Sequence, residues 1–150
     1  MLLAVDVGNT QTVVGVFEGE NLRYRWRFAT NKSHTGDDLR VKLMSLLDGE
    51  DIERASLCGM SLASVVPHLT EAWDETAQAL TGMPALVCSA KTAGSLFAAT
   101  YPRPAEIGSD RVADAVAARE RYGAPAVVVD FGTATNIEVI DQDGCFCGGV

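Results

Sequence analysis

Hydrophobic positions in this chain fall into short runs separated by turn residues, and the period of the runs changes along the sequence. Residues 2–7 are apolar except for Asp6, the pattern of a buried strand. Asn9-Thr10-Gln11 turns the chain, Thr12 to Phe17 forms a second β-rich run, and Gly19-Glu20-Asn21 turns it again. From Leu22 to Phe28 the period is two, with Leu22, Tyr24, Trp26 and Phe28 on one face and Arg23, Arg25 and Arg27 on the other. These three runs predict an antiparallel meander with one solvated face.

The period then becomes helical. Thr35-Gly36-Asp37-Asp38 is a helix start with acidic residues in the first turn, and Leu39, Leu43, Leu46 and Leu47 repeat at helical spacing until Gly49. Residues 55–66 predict a strand that runs into Ser64-Val65-Val66-Pro67. Pro67 suits the first turn of a helix over 67–81 that carries Leu69, Ala72, Trp73, Ala77 and Leu80. Ala85 to Cys88 is a short buried strand, and residues 90–106, rich in Ala, Thr, Gly and Pro, are expected to form a loop facing a substrate. Gly108-Ser109-Asp110-Arg111 opens a helix with Val112, Ala113, Val116 and Ala117 inward, ending near Gly123. A last group follows: the strand Ala126 to Val129, then a hairpin from Ile137 to Ile140 and Cys145 to Val150.

One local pattern occurs twice. Leu2 to Val5 leads into Asp6-Val7-Gly8-Asn9-Thr10, and Ala126 to Val129 leads into Asp130-Phe131-Gly132-Thr133-Ala134-Thr135-Asn136. Each time an apolar strand ends in a carboxylate and a glycine turn with hydroxyl or amide side chains, which can present backbone N–H groups to a phosphate. The repeat predicts a duplicated α/β fold. A first half-domain over residues 1–123 would be a mixed five-stranded sheet with flanking helices, and residues 124–150 would open a second, truncated one.

Composition narrows the partners. Twenty acidic against 12 basic residues give a net charge of −8 without a Lys/Arg block, which argues against nucleic-acid and anionic-membrane surfaces. No apolar run approaches the roughly 20 residues of a membrane span, and no basic-then-apolar leader opens the chain, so a cytoplasmic location is expected. The four cysteines are expected to be reduced, with Cys145-x-Cys147 a pair of strand thiols rather than a metal site. His34 and His68 carry no partner pattern and are expected to be surface or cap residues.

The ordered motifs resemble type III pantothenate kinase, within the acetate kinase, sugar kinase, Hsc70 and actin superfamily with its ribonuclease H-like, actin-like ATPase fold. Asp6-Val7-Gly8-Asn9-Thr10 resembles the first phosphate motif and Ser64-Val65-Val66-Pro67 an internal strand end. Tyr101-Pro102 through Gly108-Ser109-Asp110-Arg111 resembles the pantothenate-side motif, Asp130 to Thr135 the second phosphate motif, and Gly148-Gly149 the start of a further glycine motif. The chain departs from the family at Asn136, where threonine is usual.

The resemblance implies ATP-dependent phosphorylation of pantothenate to 4′-phosphopantothenate, the first step of coenzyme A synthesis, by a homodimer. It implies Asp110 as general base and Tyr101, Gly108, Ser109, Asp110 and Arg111 on the acceptor. Gly8, Asn9, Thr10, Gly132, Thr133 and Thr135 would bind nucleotide phosphates between two half-domains. Asp6 would hold Mg²⁺ through water, and Asp130 a monovalent cation, K⁺ or NH₄⁺. Two alternatives stay open: a non-catalytic regulatory or accessory relative, and a sugar or acetate kinase of the same fold. The repeat also leads us to expect part of a longer enzyme, without turnover of its own, in which the hairpin at 134–150 lacks the sheet and helices that would bury its apolar face and residues 126–150 are poorly ordered or paired with another copy of the chain.

Overall fold

The computed structural model describes all residues from Met1 to Val150. They pack into two compact units, Met1–Val87 and Cys88–Val150. Residues 88–123 thus pack with the strands that follow them, a division distinct from the motif repeat, which separates 1–123 from 124–150.

In the first unit β1 (Leu2–Val7), β2 (Gln11–Glu18) and β3 (Asn21–Ala29) form the antiparallel meander. Helix α1 (Gly36–Asp48) leads to β4 (Gly59–Ser64), and helix α2 (Pro67–Thr81) to β5 (Leu86–Val87). The sheet order is β3-β2-β1-β4-β5, with β4 parallel to β1 and β5 parallel to β4. Strand β4 starts later than expected because Arg54–Ser56 make a 3₁₀ turn first. Leu3, Val5, Val7, Val14, Val16, Met60 and Leu62 are buried with Leu39, Leu43 and Leu47 of α1 and Leu69, Trp73, Ala77 and Leu80 of α2. Both helices therefore feed one core, and β1 is covered on that side: Leu2 remains 40% exposed although its neighbour Leu3 is 0% exposed.

Local chemistry sets the start of α1. The Thr35 hydroxyl accepts from the Asp38 N–H at 3.3 Å, and the Asp38 carboxylate accepts from the Thr35 N–H at 3.0 Å, a reciprocal capping box. These bonds hold the Asp38 carboxyl below the usual carboxylate range. Gly36 is where the helices meet: a Cβ there would collide with the Glu75 side chain of α2. The buried Thr76 hydroxyl donates to the Gly36 carbonyl at 3.1 Å.

In the second unit the 90–106 segment holds more structure than a loop: helix α3 (Ala90–Ala93), 3₁₀ turns at Gly94–Leu96 and Pro104–Glu106, and the short strand β6 (Ala98–Ala99). Helix α4 (Ser109–Tyr122) follows, then β7 (Ala126–Phe131), β8 (Thr135–Ile140) and β9 (Cys145–Gly149). The sheet order is β6-β9-β8-β7. Residues 126–150 are thus not a bare hairpin: β6 runs parallel to β9, and α4 packs on β7 and β8. The buried stripe of α4 is Val112, Ala115 and Ala118, whereas Ala117 is exposed. Small side chains at an i, i+3 spacing let the helix lie close on the sheet. Ala115, Ala118, Ile140 and Phe146 form this core, with Phe97, Ala99, Ile107, Ala126 and Val128 against it.

The other face of this sheet is apolar and open. Val127 (63%), Val129 (45%) and Phe131 (82%) of β7 are exposed, as are Ile137 and Val139 of β8. The apolar strand at 126–129 is therefore covered on one face only. At Gly149 the chain approaches the Ile137 carbonyl so closely that a Cβ would overlap it, which accounts for the glycine there. No helix is long and apolar enough to cross a membrane.

Candidate active site

The first candidate loop joins β1 to β2. Asp6 is the exposed penultimate residue of β1, between Val13 of β2 and Ala63 of β4. The Gly8 N–H donates to the Gln11 carbonyl at 3.0 Å, closing the turn. Its carbonyl accepts from the Thr30 hydroxyl at 2.8 Å, and that hydroxyl lies 2.9 Å from the buried Thr12 hydroxyl. The Thr30 N–H also donates to the Thr10 carbonyl at 2.8 Å. The loop is therefore fixed from below by Thr12 and Thr30 before any ligand arrives. Asn9 and Thr10 are exposed, and the Lys32 ammonium donates to the Asn9 amide oxygen at 3.4 Å. Thr12, Thr30 and Lys32 escaped the motif-based choice, because nothing in their spacing marks a residue supporting the turn from the next strand.

The second loop joins β7 to β8 in the other unit. Asp130 is half-buried and sits opposite Asn136, while the Gly132 N–H donates to the Ala134 carbonyl at 3.0 Å. A Cβ on Gly132 would stand 3.4 Å from the Asp130 carboxylate, an ordinary van der Waals contact. Gly132, Thr133 and Thr135 are all exposed.

In the same unit the start of α4 carries the candidate base. Gly108 is the N-cap residue, Ser109 the first helical residue, and Asp110 follows in the first turn. The Asp110 carboxylate accepts from the Arg111 N–H at 2.8 Å. A carboxylate that accepts from an unpaired amide of a helix N-terminus is oriented by it. The Arg111 guanidinium reaches β8: its Nη2 donates to the Asn136 amide oxygen at 3.5 Å, and its Nε lies 3.7 Å from Glu138 Oε1. Tyr101 stands apart in sequence, 38% exposed in the bend before the 104–106 turn.

Glu138 is the residue that sequence reasoning missed. It is 1% exposed, on the β8 face that α4 covers, and its Oε2 has no hydrogen-bond partner. Burial above all, and then the charge of Asp114, push its carboxyl up to about 7; Arg111 works against them, and Asp110 and Asp130 add to the rise. Three aspartates and one guanidinium thus act on the Glu138 carboxyl. Burial, with the Asp110 charge, also pushes the Cys88 thiol up.

No group of three or more His, Cys, Asp or Glu side chains gathers to hold a metal ion. Asp6 and Asp130 each offer a single hard oxygen donor beside a phosphate-type loop. That fits a cation held by one carboxylate, water and a phosphate rather than by a protein cage. The cysteines bring no third ligand; Cys147 is exposed and its thiol donates to Asp141 at 3.5 Å.

A family model described as type III pantothenate kinase matches residues 2–150. The chain is similar to the type III pantothenate kinase of Thermomicrobium roseum, 44% identical over 150 residues, covering 99% of this chain and 57% of that protein. It is also similar to that of Moorella thermoacetica, 40% identical over 151 residues, covering 99% of this chain and 58% of that protein. The chain therefore spans little more than half the length of these curated relatives. Among solved structures it is similar to the ethanolamine utilization protein EutJ from Carboxydothermus hydrogenoformans, with a TM-score of 0.55 at 19% identity over 99% of this chain and 50% of that one. A reductive activator for corrinoid, iron-sulfur protein gives a TM-score of 0.58 at 10% identity, over 94% of this chain and 29% of that one. At these identities the likeness establishes the fold, that of the actin-like ATPases and sugar kinases.

Proposed function

The chain belongs to the type III pantothenate kinase family, and from that premise we propose that its protein transfers the γ-phosphoryl group of ATP to the hydroxyl of pantothenate. The product is 4′-phosphopantothenate, at the entry to coenzyme A synthesis. The observation that carries the proposal is the Asp110 carboxylate held by the Arg111 backbone N–H at the first turn of α4, in the same unit as the Asp130 loop. Phosphoryl transfer asks for alignment and charge neutralisation more than covalent chemistry.

On this proposal the hydroxyl oxygen bonds to the γ-phosphorus, the bridge to the β-phosphate breaks, and the hydroxyl proton passes to Asp110. The base orients the hydroxyl before it accepts the proton. Gly8, Asn9 and Thr10 are the phosphate-binding residues of the first unit, and Gly132, Thr133 and Thr135 those of the second. Arg111 offsets negative charge on the acceptor, with Gly108, Ser109 and Tyr101 lining its side. Asp6 would hold Mg²⁺, through water, and Asp130 a monovalent cation, K⁺ or NH₄⁺, each of which would supply positive charge against phosphate. We place the enzyme in the cytoplasm as a homodimer, a state that light scattering of the full-length protein reads directly.

The test is a coupled ADP-release assay on the full-length protein with pantothenate, acetate and hexoses as alternative acceptors. ADP release that depends on pantothenate supports the assignment. Release with acetate or a hexose instead makes it a different kinase of the fold, and no release with any acceptor favours a regulatory relative.

A further inference from the structure

Glu138 is not explained by stability. A buried ion pair is often no better than a well-packed apolar pair, and one carboxylate oxygen left without a partner is a further cost. What the carboxylate does is grip one edge of a guanidinium. Asn136 and Glu138 are two apart on β8, on the face that α4 covers, and both reach Arg111: Asn136 Oδ1 at 3.5 Å from Nη2, Glu138 Oε1 at 3.7 Å from Nε. The Arg111 side chain nevertheless stays 28% exposed. It is held from behind and still open to solvent in front.

We propose that Asn136 and Glu138 are positioning residues for Arg111, seating its guanidinium from the β8 side so that its open edge meets an anionic group of the acceptor. The seat is geometric. Arginine has rotatable bonds whose freedom must be lost before it binds an anion, and two fixed acceptors on one strand remove that freedom in advance. Burial first, and then Asp114, Asp110 and Asp130, oppose the charge of Glu138, and Arg111 is the cation that favours it. The departure at Asn136 then has a physical meaning, since its amide oxygen is an acceptor aimed at the guanidinium. The task given to Arg111 rests on the kinase assignment, whereas the seat does not.

The experiment is a double-mutant cycle in the full-length protein with Glu138→Gln, Arg111→Ala and the two combined. Glu138→Gln should raise the pantothenate KM by about tenfold and leave the ATP KM within about twofold, because the loss falls on one substrate. In the Arg111→Ala background the same change should cost nothing further. Glu138→Asp, which keeps the charge, should recover part of the loss, and Asn136→Ala should shift the pantothenate KM in the same direction. Equal losses in both backgrounds, or equal effects on both substrates, would overturn the proposal. If the parent shows no pantothenate-dependent turnover, the kinase assignment fails first and NMR decides the seat alone. The Arg111 Nε–H resonance should then shift and exchange faster with solvent in Glu138→Gln and in Asn136→Ala; an unchanged resonance in both variants rejects the seat.

Discussion

At the scale of single residues, what the sequence displayed was position relative to punctuation, and what it hid was facing. Asp110 and Arg111 were legible because Gly108 and a helical period mark them as a first turn, where a carboxylate finds backbone donors. Asp110→Asn keeps the shape and removes the proton acceptor, so kcat should fall by roughly 10² or more with the ATP KM little changed. Steady-state kinetics check it, and near-parent turnover would reject Asp110 as the base. Glu138 was hidden because Ile137-Glu138-Val139 alternates, and alternation alone assigns the carboxylate to water. The sheet takes the opposite choice, burying Glu138 and exposing Ile137 and Val139. Its folded-state carboxyl titrates near 7 against an ordinary value of 4.5, so folding is favoured while the proton stays on and loses that advantage as pH rises from about 4.5 to 7. Glu138→Gln should therefore gain stability over the parent at pH 8, on the order of 2 kcal/mol, with the difference shrinking toward pH 4.5. Denaturant midpoints at the two pH values measure it; a difference independent of pH would mean that the Glu138 carboxyl titrates alike in the folded and unfolded chain.

At the scale of elements, periodicity was sufficient wherever a helix or strand presents one face to one core. Helix α2 runs over 67–81 as its proline start and apolar stripe require, and the meander follows its turns. The failures come from local packing that leaves no periodic trace. The inward stripe of α4 is Val112, Ala115 and Ala118 because alanines on every side make several stripes equally apolar, and contact with β7 and β8 selects one. Strand β6 is two residues long and gains its identity only by pairing with β9. The helix caps allow a direct measurement. Thr35→Ala removes a side-chain acceptor from an N-terminal amide and should cost about 1 kcal/mol in a denaturant melt. Gly49→Ala, at the other end of α1, meets φ −64° and ψ −17°, a conformation that any residue adopts. It should be neutral or stabilising by about 0.5 kcal/mol through the unfolded chain. A loss at Gly49 equal to that at Thr35 would mean that the two ends of α1 are not governed by these local bonds.

At the scale of the whole molecule, the two units differ in how well they close their cores. The first buries residues from β1, β2, β4, α1 and α2 in one cluster, whereas the second buries only Val112, Ala115 and Ala118 of α4 with Ile140 and Phe146, and leaves one sheet face open. That open face carries Val127, Val129, Phe131, Ile137 and Val139, all at least 38% exposed and consecutive along the outer sides of β7 and β8. A contiguous apolar patch of this kind marks a surface that another element covers or that associates in water. The curated relatives run well past the length matched here, since this chain covers 57% of the Thermomicrobium roseum protein. We therefore predict that residues 1–150 expressed alone bind a hydrophobic dye and show no pantothenate-dependent ADP release, and that the full-length protein binds less dye. Val127→Thr with Val139→Thr keeps β-branched shapes on both strands and should lower dye binding by residues 1–150 without loss of strand signal in circular dichroism. Turnover by residues 1–150 within about tenfold of the full-length protein would show that the catalytic unit is already complete in them. Dye binding that ignores the two threonines would move the exposed patch away from β7 and β8.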